Sequence, residues 1–152
     1  MGELDSICNF RRLSPLLTTA GQPTEPQLRL VAGSGTEVVV KLGLTGTDHA
    51  LADERGTVAV LGVSDVHIPV RWGAPSDSDL EELFGALRHH QGKRVFVHCA
   101  KNMRVSVFMA PYRVLEQGWT PAAALASVRS VWEPNAVWHA YFWRQLQRYG
   151  AR

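Results

Sequence analysis

The sequence predicts an α/β fold: a single three-layer domain over residues 1–152, with a central, mostly parallel sheet flanked by helices. Short β-branched runs alternate with amphipathic segments through the middle of the chain, and the last third has only helical patterns. A length of 152 residues suits one domain. With 45% hydrophobic and 20% charged residues, the composition is that of a globular protein and excludes a disordered one.

The first half of the chain has two strand signals, both apolar runs of the kind buried in parallel sheets. They are Glu37 to Leu42 and Val66 to Val70, the second ending near Pro69. Two helices are predicted around them, Gln27 to Val31 and an acidic segment from Asp48 to Gly56 that could extend to Gly62. Thr24 is expected to cap the first of these helices, with Pro26 in its first turn.

The second half begins with a helix that Ser76 caps, that carries carboxylates in its first turn and that Gly92 closes. The next strand is Arg94 to Val97. Three more helices are predicted after it: Val105 to Gln117, Thr120 to Val131, and one that starts at Pro134. The last of these has Val137, Trp138, Tyr141, Phe142 and Leu146 on one side.

The stretch from His98 to Ser106 lies between a predicted strand and a predicted helix. Ligands of open α/β sheets bind beyond the carboxyl ends of strands. A helix N-terminus stabilises a thiolate there, and its free amides bind negative charge. Cys99 is therefore predicted to be a reactive thiolate, and Arg104 a fixed cation for an anion. The expected anion-binding groups are the loop amides together with that guanidinium: Ala100, Lys101, Asn102, Met103 and Arg104.

Three neighbours receive supporting roles. His98 is expected to fix the loop by donating to nearby carbonyls, and Ser106 to donate to the thiolate. Trp72, in a loop expected to face Cys99, would wall the pocket and stack on an aromatic substrate. The alternative for Cys99 is a buried structural thiol, but its flanking residues favour the reactive one.

His98-Cys99, Arg104 and Ser106, after a buried strand and before a helix, resemble the protein tyrosine phosphatase superfamily. More narrowly, the chain is similar to small bacterial phosphatase-like proteins with a dual-specificity-phosphatase-like fold. Their Gly-Gln-Pro-Thr, Ile-Pro-Val and Trp-Glu-Pro-Asn segments are matched at Gly21 to Thr24, Ile68 to Val70 and Trp132 to Asn135. This resemblance covers nearly the whole chain. It implies hydrolysis of a phosphomonoester through a phosphocysteine on Cys99, with no metal and no cofactor.

The loop departs from the superfamily pattern. Four residues, instead of five, separate Cys99 from Arg104, and Ser106 is two positions past the arginine. The usual glycine is missing, and Asn102 is the residue best able to take a left-handed conformation in its place. Cys-x4-Arg is also the loop length of many rhodanese-type sulfurtransferases, so a persulfide carrier is one alternative. A non-catalytic binder of an anion or phosphopeptide is the other.

The resemblance also implies an aspartate on an upstream loop that protonates the leaving oxygen. Arg71-Trp72 stand where that acid is expected. Asp77 is the candidate that remains, with Asp79 close by. Both fit carboxylates that stabilise a helix start, and this is the favoured interpretation.

The expected partner is a phosphorylated substrate or another oxyanion. A net charge of +2 does not indicate a nucleic-acid binder, and no run approaches the ~20 apolar residues of a membrane span. Cys8 and Cys99 have no metal-ligand pattern and do not form a disulfide framework, so a cytoplasmic, reducing location is expected. Cys8 is interpreted as an inert thiol, with a resolving role toward Cys99 left open. Monomer and dimer are both compatible with the sequence.

Overall fold

In a computed structural model, which describes residues 3–47 and 50–150, a five-stranded sheet carries helices on both faces. The strands are β1 Arg11–Ser14, β2 Leu17–Ala20, β3 Val38–Lys41, β4 Ser64–His67 and β5 Val95–His98. The helices are α1 Glu25–Gly33, α2 Glu54–Val60, α3 Asp77–His89, α4 Met103–Gln117, α5 Pro121–Arg129 and α6 Ala136–Arg148, with a short 3-10 helix at Leu4–Ser6. None of the helices in these ranges is long and apolar enough to cross a membrane.

The strand order is β1-β2-β5-β3-β4, and only the β1–β2 pair is antiparallel. The prediction of a mostly parallel sheet is confirmed. The hairpin of β1 and β2 was not predicted, because its sequence has neither a long apolar run nor a clean alternation. Its second strand is fixed by a non-local pairing, in which Leu17 lies opposite Val95 and Ala20 opposite His98. This pairing places β5 at the centre of the sheet.

Alternate residues of the central strands belong to two separate hydrophobic cores. Val38, Val40, Val95 and Val97 face α3 to α6, whose buried residues on this side include Leu83, Phe108, Leu125 and Trp138. Val39 and Phe96 face the opposite side, where α1 and α2 contribute Leu28, Val31 and Val58. The period of two along each strand therefore produces the three-layer arrangement.

Side-chain caps set most helix starts where the sequence predicts them. Thr24 accepts a hydrogen bond from the Gln27 amide, and Ser76 accepts one from the Asp79 amide, each within a reciprocal capping box. Thr120 caps α5 in the same way, ahead of a proline at the first helical position. The last helix starts slightly later than expected, since Asn135 is its cap.

Other boundaries also differ from the predictions. Helix α2 starts at Glu54 because the Asp53 carboxylate accepts the Gly56 amide, and the earlier part of the predicted helix at residues 48–49 lies outside the described residues. Strand β4 ends before Pro69, although amides on both sides of the proline, Ile68 and Val70, still donate to the β3 segment. Helix α4 starts at Met103, two residues earlier than predicted.

Candidate functional site

Cys99 directly follows β5, the central strand. Its side chain belongs to the larger core and the residue is 1% exposed. Its amide donates to Ala20 O at 3.3 Å, and the carbonyl of His98 accepts from the Leu42 amide at 2.8 Å. Two neighbouring strand segments therefore hold the backbone around the cysteine. The thiol lies at the carboxyl edge of the parallel strands, where open α/β sheets bind their ligands.

Asn102 turns the chain from this loop into α4. Its φ of 67° lies in the left-handed region, as predicted for the residue that replaces the missing glycine. Its side chain is buried, and Nδ2 donates to Asn9 O at 2.8 Å and to Thr19 Oγ1 at 3.1 Å. The amide group of Asn102 therefore anchors the loop to Asn9 in the N-terminal segment and to Thr19 in β2.

The turn at Gly21 packs against the loop from outside. The Gln22 amide donates to Ala100 O at 2.9 Å, and Gly21 forms a backbone bridge with the exposed Lys101. A Cβ on Gly21 would lie 2.6 Å from Ala100 O and 2.9 Å from Lys101 Cα. Only glycine allows this approach, which gives the Gly-Gln-Pro-Thr segment a structural reason.

Arg104 lies in the first turn of α4 and is 9% exposed. Its Nη1 donates to Val70 O at 2.9 Å, which ties the helix start to the segment after β4. Within the described ranges its other guanidinium donors make no hydrogen bond to the protein. A buried cation with free donors at a helix N-terminus is suited to an anion.

Ser106 does not have the predicted contact. Its hydroxyl donates to Met103 O at 2.7 Å and accepts from Trp132 Nε1 at 3.1 Å. A hydroxyl can donate only one hydrogen bond, and here the Ser106 hydroxyl donates it to the carbonyl of Met103. The prediction that Ser106 donates to the Cys99 thiolate is therefore wrong for this arrangement.

Trp72 belongs to an aromatic cluster beside α4. Its ring centroid lies 5.2 Å from that of Trp132 and 5.7 Å from that of Trp138, and its carbonyl accepts from Trp138 Nε1 at 2.8 Å. Trp72 remains 43% exposed. Because Trp132 is bonded to Ser106, this exposed ring lies along the side of the α4 N-terminus. A role as a pocket wall stays a prediction.

Asp77 is not arranged as a general acid. Its Oδ1 accepts from Gln145 Nε2 at 2.7 Å and from Arg144 Nη2 at 2.9 Å, and Oδ2 lies 3.3 Å from Arg148 Nε. The hydrogen bond from Gln145, followed by the bond and charge of Arg144, holds the pKa of this carboxyl below its usual value. An acid catalyst needs a raised pKa, so the catalytic assignment of Asp77 is corrected to a structural one at the start of α3.

His98 is bonded to a carboxylate instead of the carbonyls expected from the sequence. Its Nε2 lies 2.6 Å from Glu54 Oε2, and both side chains are buried. Glu54 Oε1 accepts from Gln22 Nε2 at 2.9 Å, and Lys41 Nζ is 4.0 Å from the same oxygen. Sequence reasoning missed Glu54, because an acidic residue in the first turn of a helix normally faces solvent and nothing in the pattern indicates burial.

A cavity of about 460 Å³ opens beside Glu54, and its lining includes Lys41, Asp65 and His67. Burial, followed by the Glu54 charge, raises the pKa of Asp65 above its usual value. Gly43 lies between Cys99 and the lining residue Lys41, since a Cβ there would lie 3.7 Å from Cys99 Cα and 3.8 Å from Lys41 Cε. The residues that line the cavity surround Glu54 and lie outside the Cys99 loop.

Both cysteines are free thiols, with Cys8 exposed and Cys99 buried. The carbonyl of Cys8 accepts from the Gly21 amide at 2.7 Å, so Cys8 lies beside the turn that packs against the loop. Within the described ranges, no cluster of three or more histidine, cysteine or acidic side chains could hold a metal ion.

No protein-family model matches the sequence, and a comparison with curated proteins gives no match. Among solved structures, that of a putative phosphatase (DUF442) from Shewanella putrefaciens CN-32 is 32% identical over 98% of this chain and 98% of that chain, with a TM-score of 0.87. The chain belongs to the DUF442 family. The relationship to phosphatase-like proteins that the sequence predicted is confirmed.

More distant structures share the fold of this DUF442 protein. The active form of Tk-PTP is 24% identical over 91% of this chain and 94% of that chain, with a TM-score of 0.73. A cysteine-to-serine variant of Pseudomonas aeruginosa TpbA, in complex with phosphotyrosine, is 20% identical over 95% of this chain and 92% of that chain, with a TM-score of 0.74. The predicted phosphatase-like α/β fold is confirmed.

Proposed function

We propose that this DUF442 protein is a cysteine-dependent phosphatase that hydrolyses an aryl phosphomonoester. The observation that carries the proposal is the place of Cys99: a thiol at the carboxyl end of the central strand, one left-handed turn from the start of α4. Arg104, with free donors in that first turn, supplies the cation that a phosphoryl group requires. Family membership supports the same class of reaction.

In the proposed reaction the Cys99 thiolate attacks phosphorus, an S–P bond forms and the P–O ester bond breaks. The α4 amides and Arg104 hold the nonbridging oxygens, and the leaving oxygen takes a proton from water. A water molecule then attacks phosphorus and gives up one proton to solvent. The S–P bond breaks and returns the thiolate, and inorganic phosphate leaves.

An aryl ester is proposed because Asp77 is engaged as a carboxylate and supplies no proton. A phenol has a pKa of about 10, lower than that of an aliphatic alcohol, so a phenoxide departs with less help from an acid. The complex of the TpbA variant with phosphotyrosine supports the same substrate class.

The test is hydrolysis of p-nitrophenyl phosphate by the wild type, Cys99→Ser and Cys8→Ser. We expect Cys99→Ser to lose activity by at least about 1,000-fold, because the nucleophile is gone. Cys8→Ser is the matched control, and we expect it to stay within about threefold of the wild type. Equal loss in both variants, or hydrolysis that survives Cys99→Ser, would refute the proposal.

The second candidate is sulfur transfer, favoured by one observation: only residues 100–102 separate Cys99 from α4. In that reaction the thiolate takes the sulfane sulfur of thiosulfate, sulfite leaves, and cyanide then removes the sulfur as thiocyanate. None of these steps needs an acid at the position of Asp77. Thiocyanate formation without p-nitrophenol release would favour this candidate. Phosphate binding with neither product would leave a non-catalytic anion binder.

A further inference from the structure

Glu54 is a buried carboxylate outside the group of residues assigned above to the reaction. It is the first residue of α2, and its side chain is only 3% exposed. Burying an ionised carboxylate carries a large free-energy cost unless hydrogen bonds and charges compensate it. Such a side chain therefore needs specific partners, and two partners of Glu54, His98 and Gln22, connect it to the residues around Cys99.

The two oxygens of Glu54 have different partners. Oε2 lies 2.6 Å from Nε2 of His98, the residue directly before Cys99. Oε1 accepts from the side chain of Gln22 at 2.9 Å, with the Lys41 ammonium 4.0 Å away. Burial by itself raises the pKa of Glu54, but the bond and charge of His98, with Gln22 and Lys41, lower it below its usual value.

Gln22 carries this connection to the other side of the cysteine. While its side chain donates to Glu54, its backbone amide donates to Ala100 O at 2.9 Å. Ala100 directly follows Cys99 in the chain. One carboxylate is thus linked to the residue before the nucleophile directly and to the residue after it through a single glutamine.

We propose that Glu54 is the positioning residue of this site, which holds His98 and, through Gln22, Ala100, so that the Cys99 thiolate keeps its attacking orientation. The inference rests on the proposed phosphatase function for its effect on turnover. Its structural part, that Glu54 restrains the loop, does not depend on that function. Nucleophile placement matters because a shift of about 1 Å can cost about 100-fold in rate.

The first measurement is hydrogen exchange of the peptide that spans residues 95–106. In Glu54→Ala we expect the amides of residues 98–102 to exchange about tenfold faster or more. The reason is that this variant loses both the bond to His98 and the link through Gln22 to Ala100. Asp53→Ala is the matched control: it removes the cap of the same helix but neither partner of Glu54. It should speed exchange in α2 while leaving the loop unchanged.

The second measurement is the split between kcat and KM for p-nitrophenyl phosphate. Glu54→Ala should lower kcat by about 10- to 100-fold. KM should change by less than about threefold, because Val70 holds the anion-binding Arg104 independently of Glu54. Glu54→Gln keeps one carboxyl oxygen as an acceptor and should fall between the wild type and Glu54→Ala. Asp53→Ala should keep the wild-type kcat.

If Glu54→Ala does not fold, the Gln22→Ala variant still tests the proposal. Gln22→Ala retains the backbone amide bonded to Ala100 but loses the link to Glu54, so we expect a smaller loss of kcat in the same direction. When the Glu54 variant folds, adding Gln22→Ala to it should have little further effect, because both changes remove the same link.

The proposal is overturned if loop exchange in Glu54→Ala equals that in Asp53→Ala, or if kcat falls equally in the two variants. It is also overturned if Gln22→Ala leaves both exchange and kcat at wild-type values. A wild-type protein that hydrolyses no aryl phosphate would refute the proposed function instead, and loop exchange would still decide whether Glu54 restrains the cysteine loop.

Discussion

Gly21 has no side chain, and the carbonyl of Ala100 occupies the space where a Cβ would be. The hypothetical Cβ lies 2.6 Å from that oxygen, a distance that two such atoms do not sustain. An alanine here must push the loop after Cys99 or the turn itself. The neighbouring residue, Gln22, then loses its fit to Ala100. The absence of a side chain at Gly21 thus allows both the local packing and the position of the nucleophile.

We expect Gly21→Ala to lower the free energy of unfolding by about 1–3 kcal/mol, the usual cost of overpacking. It should also reduce kcat for p-nitrophenyl phosphate, because the displaced loop carries Cys99. Gly85→Ala is the matched control, since a Cβ there meets nothing within 4 Å and alanine favours the helix by about 0.5–1 kcal/mol. Urea denaturation measures the free energy of unfolding of both variants, and p-nitrophenyl phosphate hydrolysis measures their kcat. A Gly21→Ala protein as stable and active as the control would contradict the packing argument.

Asp77 provides a second test at this scale. We expect Asp77→Asn to stay within about threefold of the wild-type kcat, since a removed catalytic acid would cost about 100- to 10,000-fold. The stability loss should be below about 1 kcal/mol, because the carboxyl is 44% exposed and water screens its ion pairs. The kcat of both proteins across pH 4–8 checks the first expectation, and urea denaturation checks the second. A collapse of kcat in Asp77→Asn would restore its catalytic assignment.

Among the secondary-structure elements, those with local signals agree best with the sequence. Thr24, Ser76 and Thr120 each cap the helix that the sequence assigns to them, because a cap depends on residues three positions away. The β1–β2 hairpin was missed because β2 is stabilised by pairing with β5, about 80 residues later in the chain.

In the candidate site, too, the features that depend on local sequence were predictable and those that depend on tertiary packing were not. The left-handed conformation of Asn102 follows from local backbone preferences and was predictable. The contacts of Ser106 and the link from His98 to Glu54 depend on which elements pack together, and no short sequence pattern contains that information. Helical periodicity, by contrast, is a local signal: Trp138, on the predicted apolar face of α6, is fully buried, whereas Trp143, on the same helix but off that face, is 40% exposed.

The Ser76 capping box gives the prediction at this scale. Ser76→Ala removes the acceptor for the Asp79 amide, and we expect a loss of about 1 kcal/mol in the free energy of unfolding. Ser76→Asn should recover most of that loss, because asparagine is an equally good cap. Thermal and urea unfolding of the three proteins measure the difference. If asparagine is no better than alanine, the cap does not stabilise α3.

Over the whole molecule, the two faces of the sheet differ in chemistry. Helices α3 to α6 cover an apolar core, whereas the side under α2 ends in a buried polar group around Glu54, Lys41 and His98. Alternation along the strands explains the placement, since Lys41 and His98 stand on the same face as Val39 and Phe96. Stability on this side should therefore respond to pH.

Glu54 and Asp65 should contribute to that response with opposite signs. The pKa of Glu54 is lowered on folding, so its contribution is fully present above its ordinary pKa and is lost as the pH falls through the folded value. The pKa of Asp65 is raised, by burial and then by Glu54, so this carboxyl reduces stability as the pH rises above its ordinary pKa. Two neighbouring acids thus have opposing effects at neutral pH.

We expect Glu54→Gln to unfold more easily than the wild type at pH 7, by about 1–3 kcal/mol, and the difference to shrink as the pH falls below about 4. Asp65→Asn should be more stable than the wild type at pH 7, and its advantage should also vanish in acid, because a protonated Asp65 carries no unfavourable charge. Urea denaturation of the three proteins between pH 3 and pH 7 measures both differences. Curves that stay parallel across this range would show that neither carboxyl titrates differently in the folded and unfolded chains.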